Sequence, residues 1–135
     1  MTVLSSLHQF SDWGLFALRL GVGTVFLVHG SQKRAMWRMQ PSVPMPAGLL
    51  SLLKVLSIAE PLGGLATLVG LLTQAAAAGF ILVMLGAIRL KVQQMHKGFT
   101  GEGGWEFEFL LLVGAIALLL LGAGKFALDR LLFGI

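Results

Sequence analysis

The sequence contains no cysteine, and only 12% of its 135 residues are charged. Without cysteine, this chain cannot form disulfides, carry out thiol redox chemistry or ligate an iron–sulfur cluster through thiolates. A soluble domain has about twice this share of charged residues. Here 56% of the residues are hydrophobic and the mean hydropathy is +0.87. The composition therefore predicts an integral membrane protein in contact with a lipid bilayer.

Signals of several other protein classes are also missing. The first apolar segment contains Arg19, lacks a small-x-small cleavage site and is long enough to span, so it is not a cleavable signal peptide. The glycines of residues 101–104 are not followed by Lys-Ser/Thr, which excludes a phosphate-binding loop. No spacing of metal ligands is present. The net charge of +4 arises mostly from cations at the ends of apolar segments, which indicates membrane topology and lipid contact, not nucleic-acid binding.

Four apolar segments are present, each close to the ~20 residues that a transmembrane helix needs. They predict spans at residues 13–30, 49–72, 74–91 and 106–124. The linker 31–48 contains three prolines and the linker 92–105 is polar and glycine-rich, so both are predicted as loops. The fold class is therefore all-α: a single domain forming an antiparallel four-helix transmembrane bundle. Lys and Arg are concentrated on the side of these two loops, which predicts cytoplasmic loops and external termini.

Arg19 and Glu60 lie deep inside the predicted spans. At 100° per residue, Arg19 shares one face of the first span with Gly23, Phe26, Gly30 and Lys33, and we expect this stripe to face the interior of the bundle. Arg19 is eleven residues from the loop-side end of the first span, and Glu60 is eleven residues from that of the second. Both would lie about 16 Å below the loop face, where unpaired charges are costly. We therefore expect Arg19 and Glu60 to form an ion pair near mid-membrane. Such a pair either only fixes the helix register or forms a site in which Arg19 binds an anionic or carbonyl group and Glu60 handles a proton.

A second polar group is expected near the loop face, formed by His29, Lys33, Arg89 and Glu106. Glu106 and Glu108 are two residues apart and face opposite sides of a helix; we expect Glu106 to point inward and to pair with Arg89 or Lys33. His29 is open to three interpretations: a proton carrier, a ligand contact or a packed polar residue. Lys91, Lys97 and Glu102 are interpreted as charges that extend to the headgroups. The third span also has a stripe of mostly small residues suited to close helix packing: Ala75, Gly79, Leu82, Gly86 and Arg89.

Five short motifs in order resemble those of the DoxX family of small four-span bacterial and archaeal membrane proteins. The sequence departs from the family pattern at Pro61 and Ala127, neither of which is a charged position. The motifs are Arg19-Leu20-x-x-Gly23-x-x-Phe26-x-x-His29-Gly30-x-x-Lys33, Ala59-Glu60-Pro61-Leu62-Gly63-Gly64, Gly70-Leu71-Leu72-Thr73, Gly103-Gly104-Trp105-Glu106 and Gly122-Ala123-Gly124-Lys125-Phe126-Ala127-Leu128-Asp129.

The resemblance implies a four-helix bundle in a prokaryotic cytoplasmic membrane, but it implies no single activity. Some members are linked to quinone-dependent redox systems and distant relatives assist receptor assembly. We expect a redox-associated protein whose pocket holds a small polar or quinone-like ligand. Glu60 and His29 would act as catalytic proton carriers, and Arg19, Lys33, Arg89 and Glu106 would bind the ligand. Electrons would travel on the ligand or to a redox partner protein. The first alternative is a non-enzymatic accessory or assembly subunit that docks a partner through the third span, and another is a transporter or proton channel. A homo-oligomer is also a possible assembly.

Overall fold

The computed structural model describes residues 3–135, and all regular structure in that range is helical, which confirms the all-α prediction. Two of the connecting segments continue the helix before them in altered form: a 3₁₀ turn at Lys33–Arg38 and a π-helical turn at Leu90–Gln94. The α-helices are α1 (Val3–Ser6), α2 (Ser11–Gln32), α3 (Ala47–Val69), α4 (Thr73–Arg89), α5 (Glu106–Leu121) and α6 (Leu128–Phe133).

Three helical stretches are long and apolar enough to cross a membrane: Val3–Arg38, Ala47–Val69 and Thr73–Gln94. Their outer surfaces carry large apolar side chains such as Leu82, which is 72% exposed. A contiguous apolar surface of this kind is expected where lipid replaces water around the helices. α5 has 16 residues and is shorter than the other three long helices.

α2 packs antiparallel on α3 more extensively than any other two helices pack on each other. Small residues permit the close approach. A Cβ atom added to Gly64 would lie 2.6 Å from the Gly23 carbonyl oxygen, so both positions require glycine for backbone-to-backbone contact. The buried positions of α2 are Arg19, Val22, Gly23, Phe26 and Gly30, so most of the predicted inward stripe of the first span is found inside.

α4 packs mainly on α5, and the apolar core lies where these two helices meet α2. At its centre the rings of Phe26 and Phe80 stack with 3.7 Å between centroids. Leu118 and Ala115 of α5 and Ala77 of α4 are fully buried beside this stack. The small-residue stripe predicted for the third span lies on the opposite face of α4, where its residues are exposed.

The loops are shorter than the sequence predicted. Helical structure after α2 continues to Arg38, because the first proline of the linker is Pro41 and nothing before it interrupts the backbone hydrogen bonds. The turn between α3 and α4 is tight. It begins at Gly70, whose φ of 73° is the left-handed conformation that terminates many helices.

Candidate functional site

The predicted ion pair between Arg19 and Glu60 is wrong. Arg19 is 1% exposed, and its guanidinium donates hydrogen bonds to backbone carbonyls instead of a carboxylate. Nη1 donates to the oxygens of Ala123 and Phe126 at 2.9 and 3.0 Å, and Nη2 donates to that of Leu68 at 3.2 Å. Arg19 therefore lies where the C-terminal segment folds over the end of α3.

Asp129 completes this end of the protein. Its carboxylate accepts hydrogen bonds from the backbone N–H groups of Leu72 and Thr73 at 2.6 and 2.9 Å, at the start of α4. An anion at a helix N-terminus satisfies free N–H donors and opposes the helix dipole. The Asp129 N–H also donates to the carbonyl of Gly70 at 2.8 Å. Arg19 and Asp129 thus hold the C-terminal segment, α3 and α4 together.

Glu60 forms its ion pair with Lys33. The Glu60 side chain is 1% exposed, whereas that of Lys33 is 24% exposed. Lys33 follows the last residue of α2, and a helical side chain extends toward the N-terminus of its own helix. The Lys33 stem therefore reaches back into the bundle, next to Gly30, whose position is in direct contact with Glu60.

The error in the predicted pairing is one of helix register. The prediction aligned the loop-side ends of the first two spans at Gly30 and Leu49. In the structure, helical turns continue past Gly30, and Trp37 donates from Nε1 to the Ser57 hydroxyl at 2.9 Å. α3 is therefore shifted by about three turns relative to α2, at 3.6 residues per turn, so that Glu60 instead of Leu49 lies opposite Gly30 and Lys33. Apolar periodicity defines the face of a helix, but it leaves such a shift along the axis undetermined.

A groove between α3 and α4 reaches Glu60. Its volume is about 140 Å³, and the exposed residues Ala59 and Gly79 flank its open mouth. The groove exists because α3 packs on α4 less extensively than on α2 and because small residues line it. Phe80 forms part of one wall and is itself fixed against Phe26. The other lining residues are Leu56, Gly63, Ala76 and Val83.

Glu60 has an unused acceptor in this setting. One carboxylate oxygen, Oε2, binds Lys33, and the other, Oε1, is buried without a hydrogen-bond partner. A buried polar atom that is left unpaired costs about 1–3 kcal/mol, so it is an atom for which a bound partner would be favourable. The groove therefore combines apolar walls with a single unsatisfied acceptor.

The other predicted site residues lie elsewhere. His29 is exposed and stacks on Phe107 of α5, with ring centroids 5.2 Å apart. Arg89 is exposed and donates to Gln93 one turn further along at 3.0 Å. Neither lines the groove.

The expected inward orientation of Glu106 is wrong. Glu106 is exposed, and Glu108 is the acidic residue that is buried. The buried residues of α5 are Glu108, Leu111, Ala115 and Leu118, a helical stripe that excludes Glu106. Glu108 pairs with Lys91 at 2.7 Å, so the interpretation of Lys91 as a headgroup-facing charge is also wrong. The Lys91 ammonium also donates to the Gly104 carbonyl at 3.0 Å, which ties the glycine-rich loop to α4.

Sequence reasoning missed the α4 side of the groove. Ala76 and Phe80 give no chemical signal of their own, and Gly79 was interpreted only as a packing residue. The structural role of Asp129 was also missed, although it ends the last of the five motifs. Within residues 3–135, no three His, Asp or Glu side chains are close enough together to hold a metal ion.

The helices and the groove define a small multi-helix membrane protein in which Lys33 pairs with the buried carboxylate of Glu60. The model of the DoxX family matches residues 14–94, which include most of α2 and all of α3 and α4. The chain belongs to the DoxX family, as its motifs indicated. The match includes Arg19, Lys33 and Glu60, whereas Glu108 and Asp129 lie beyond it.

Two curated proteins are similar to this chain over most of its length. The chain is 33% identical over 131 residues to "Putative oxidoreductase CatD" from Bacillus subtilis, with 94% of this chain and 92% of that one covered. It is 34% identical over 142 residues to "Uncharacterized membrane protein Rv3486" from Mycobacterium tuberculosis, with 92% and 84% covered. No solved structure matches the chain.

Proposed function

We propose that this protein is a redox-associated membrane protein that binds the reduced form of a lipid-soluble quinone in the groove at Glu60. The observation that carries the proposal is the buried, unpaired Oε1 of Glu60 beside apolar walls. Support for a redox role comes from the similarity to a protein named as an oxidoreductase. The setting we propose is a four-span antiparallel bundle in a prokaryotic cytoplasmic membrane, with α5 as the fourth span.

The chemistry of the groove favours a hydroquinone over a quinone. The carboxylate that pairs with Lys33 is the ionised form, which only accepts hydrogen bonds. A hydroquinone hydroxyl can donate to Oε1, whereas a quinone presents only carbonyl acceptors. The small residues beside Phe80 leave room for a flat ring. The mouth lies between two helices that are apolar enough to span the membrane, so the ligand would enter from lipid and would itself be lipid-soluble.

In this proposal Glu60 takes one proton from the bound hydroxyl, and Lys33 balances the charge of its carboxylate. When a hydroquinone is oxidised, it loses two electrons and two protons, so the two electrons and the second proton require an acceptor. We propose a partner redox protein in the membrane for that role. Arg19, His29, Arg89 and Glu106 receive no ligand contact here, because none of them lines the groove.

The test is equilibrium binding of a tritiated decylhydroquinone to the protein in nanodiscs under anaerobic, reducing conditions. We expect Glu60→Gln to weaken binding by about tenfold or more, since a charged acceptor contributes ~1.5–3 kcal/mol to a hydrogen bond. The matched control is Glu106→Gln, a change at an exposed carboxylate, which should bind like the native protein. The dimethyl ether of the ligand cannot donate and should compete poorly. Equal binding by Glu60→Gln, or equal competition by the ether, would contradict the proposal.

A second candidate function is that of an accessory subunit that docks a partner through α4. The observation in its favour is that Gly79 and Gly86 lie on an exposed face, where an added Cβ would meet no atom within 4 Å. Gly86→Leu should then release a stoichiometric partner during purification, while Gly21→Leu, at an equally open position on α2, should retain it. If the Gly86→Leu protein keeps its partner, this face is not the docking surface.

A further inference from the structure

The surroundings of Glu60 differ between its two sides along the membrane normal. On the side of the loops, Lys33 contacts the carboxylate and is 24% exposed at the end of α2. The Lys33 ammonium lies inside the bundle, whereas the Lys33 backbone lies at the end of α2. One side chain therefore connects a carboxylate that is 1% exposed with the loop face of the protein.

The side of the chain termini is closed by packing. One turn beyond Glu60, a Cβ atom at Gly64 would lie 2.6 Å from both the Gly23 oxygen and the Leu27 nitrogen, so there is no room for water between α2 and α3. The Phe26–Phe80 stack fills the adjacent space toward α4. Further on, the guanidinium of Arg19 is fixed among backbone carbonyls. A proton approaching from that end would meet a dry, close-packed layer and a fixed positive charge.

Among residues 3–135, no titratable group other than Lys33 forms an ion pair or a hydrogen bond with the Glu60 side chain. The groove residues that α4 contributes are Ala76, Gly79, Phe80 and Val83, none of which titrates. On α2, Gly30 makes the contact with Glu60, and the neighbouring His29 is exposed and stacked on Phe107. Along α3, Ser57 is one turn away and is hydrogen-bonded to Trp37 and to the Lys54 carbonyl. Lys33 is thus the one ionisable contact that the structure gives Glu60.

We infer that Glu60 exchanges protons with one side of the membrane, the loop side, and that Lys33 is the relay. When Glu60 has taken up a proton, the Lys33 ammonium releases one to water at the loop face. The neutral Lys33 amine then takes the proton from the Glu60 carboxyl group, which restores the ion pair. The net result is one proton moved from the groove to the loop face, with no change in the pair. The inference rests on the proposed function only in treating Glu60 as the proton acceptor of the groove.

Sidedness can be measured on the native protein without any ligand. The protein is reconstituted in one orientation into surface-attached proteoliposomes, in two preparations that expose either the loop face or the termini to the buffer. An acid step in the buffer is followed by infrared difference spectroscopy of the carboxyl C=O band, which Glu60→Gln assigns by its loss. We expect the Glu60 band to appear promptly when the loop face is exposed and only after the vesicle interior acidifies when the termini are exposed. Equally rapid appearance in both preparations would overturn the inference.

Lys33→Arg separates the relay from the charge of Lys33. An arginine can keep the ion pair with Glu60, but it does not release its proton in proteins. We expect Lys33→Arg to slow the appearance of the Glu60 band from the loop side by about tenfold or more, because arginine stays protonated. Arg34→Lys, at an exposed neighbouring position, should leave the rate unchanged. A Lys33→Arg protein that exchanges at the native rate would show that Lys33 is not the relay.

The two proposals fail in different experiments. If native protein binds no hydroquinone but shows sided exchange at Glu60, the ligand is wrong and the relay stands. If hydroquinone binding depends on Glu60 but exchange is fast from both sides, the relay is wrong and the binding site stands.

Discussion

Replacing Arg19 by leucine distinguishes a structural arginine from one that binds a ligand. In the structure, the substitution leaves the carbonyl oxygens of Leu68, Ala123 and Phe126 without their donor. The hydrogen bond to Ala123 is buried and the other two are part-buried. With about 1–3 kcal/mol for the buried acceptor and about 0.5–1.5 kcal/mol for each of the others, the expected destabilisation is at least about 2 kcal/mol. For a chain of this length, ~3–5 °C per kcal/mol corresponds to a fall in the unfolding midpoint of about 6 °C or more.

The assay is thermal unfolding in detergent, followed by size-exclusion chromatography of the remaining folded protein. The matched control is Arg89→Leu, which removes an exposed guanidinium that donates to Gln93 within its own helical stretch. That variant should change stability by less than about 0.5 kcal/mol. Arg19→Lys should fall between them, because an ammonium can still donate to some of the carbonyls.

A ligand-binding measurement on the same variant can refute the structural role of Arg19. We expect the folded fraction of Arg19→Leu to bind decylhydroquinone nearly as well as the native protein, because Arg19 does not line the groove. If Arg19→Leu is as stable as Arg89→Leu and yet has lost binding, then Arg19 anchors the ligand as the sequence alone predicted. The carbonyl contacts would in that case not account for the role of Arg19.

Four further outcomes are expected. Glu108→Ala should lower stability by about 1–3 kcal/mol because it leaves the half-buried Lys91 ammonium without its carboxylate, while Glu106→Ala should not; equal unfolding midpoints would contradict this. Gly64→Val should separate α2 from α3 and prevent a monodisperse protein, whereas Gly21→Val, where an added Cβ meets nothing within 4 Å, should be tolerated. Gly79→Leu should fill the mouth of the groove and block hydroquinone binding without loss of folding, and unchanged affinity would place the ligand elsewhere. Because the chain has no cysteine, single cysteines at Ser42 and Thr100 can report topology: both should react with an impermeant maleimide only from the cytoplasmic side.

Composition and periodicity were sufficient for the all-α character and for the inward face of the first span. The apolar composition predicted membrane helices, and the stripe from Arg19 to Gly30 lies inside as its spacing indicated. The motifs identified the family that the comparison found. These properties follow from the sequence because the period of a helix determines which residues share a face, and lipid requires the spans to be apolar.

Axial register and the choice of charge partners depended on the tertiary structure. Helical hydrogen bonds continue past Gly30 to Arg38, which shifts α3 along the axis of α2. Because of this shift, Glu60 pairs with Lys33 and Arg19 binds backbone carbonyls. Whether Glu106 or Glu108 points inward was decided by the rotation of α5 against α4, which a two-residue spacing leaves open. The groove itself arises from a gap between α3 and α4. Sequence spacing places a residue around and along its own helix, whereas contacts between helices depend on how far each has slid and turned against its neighbours.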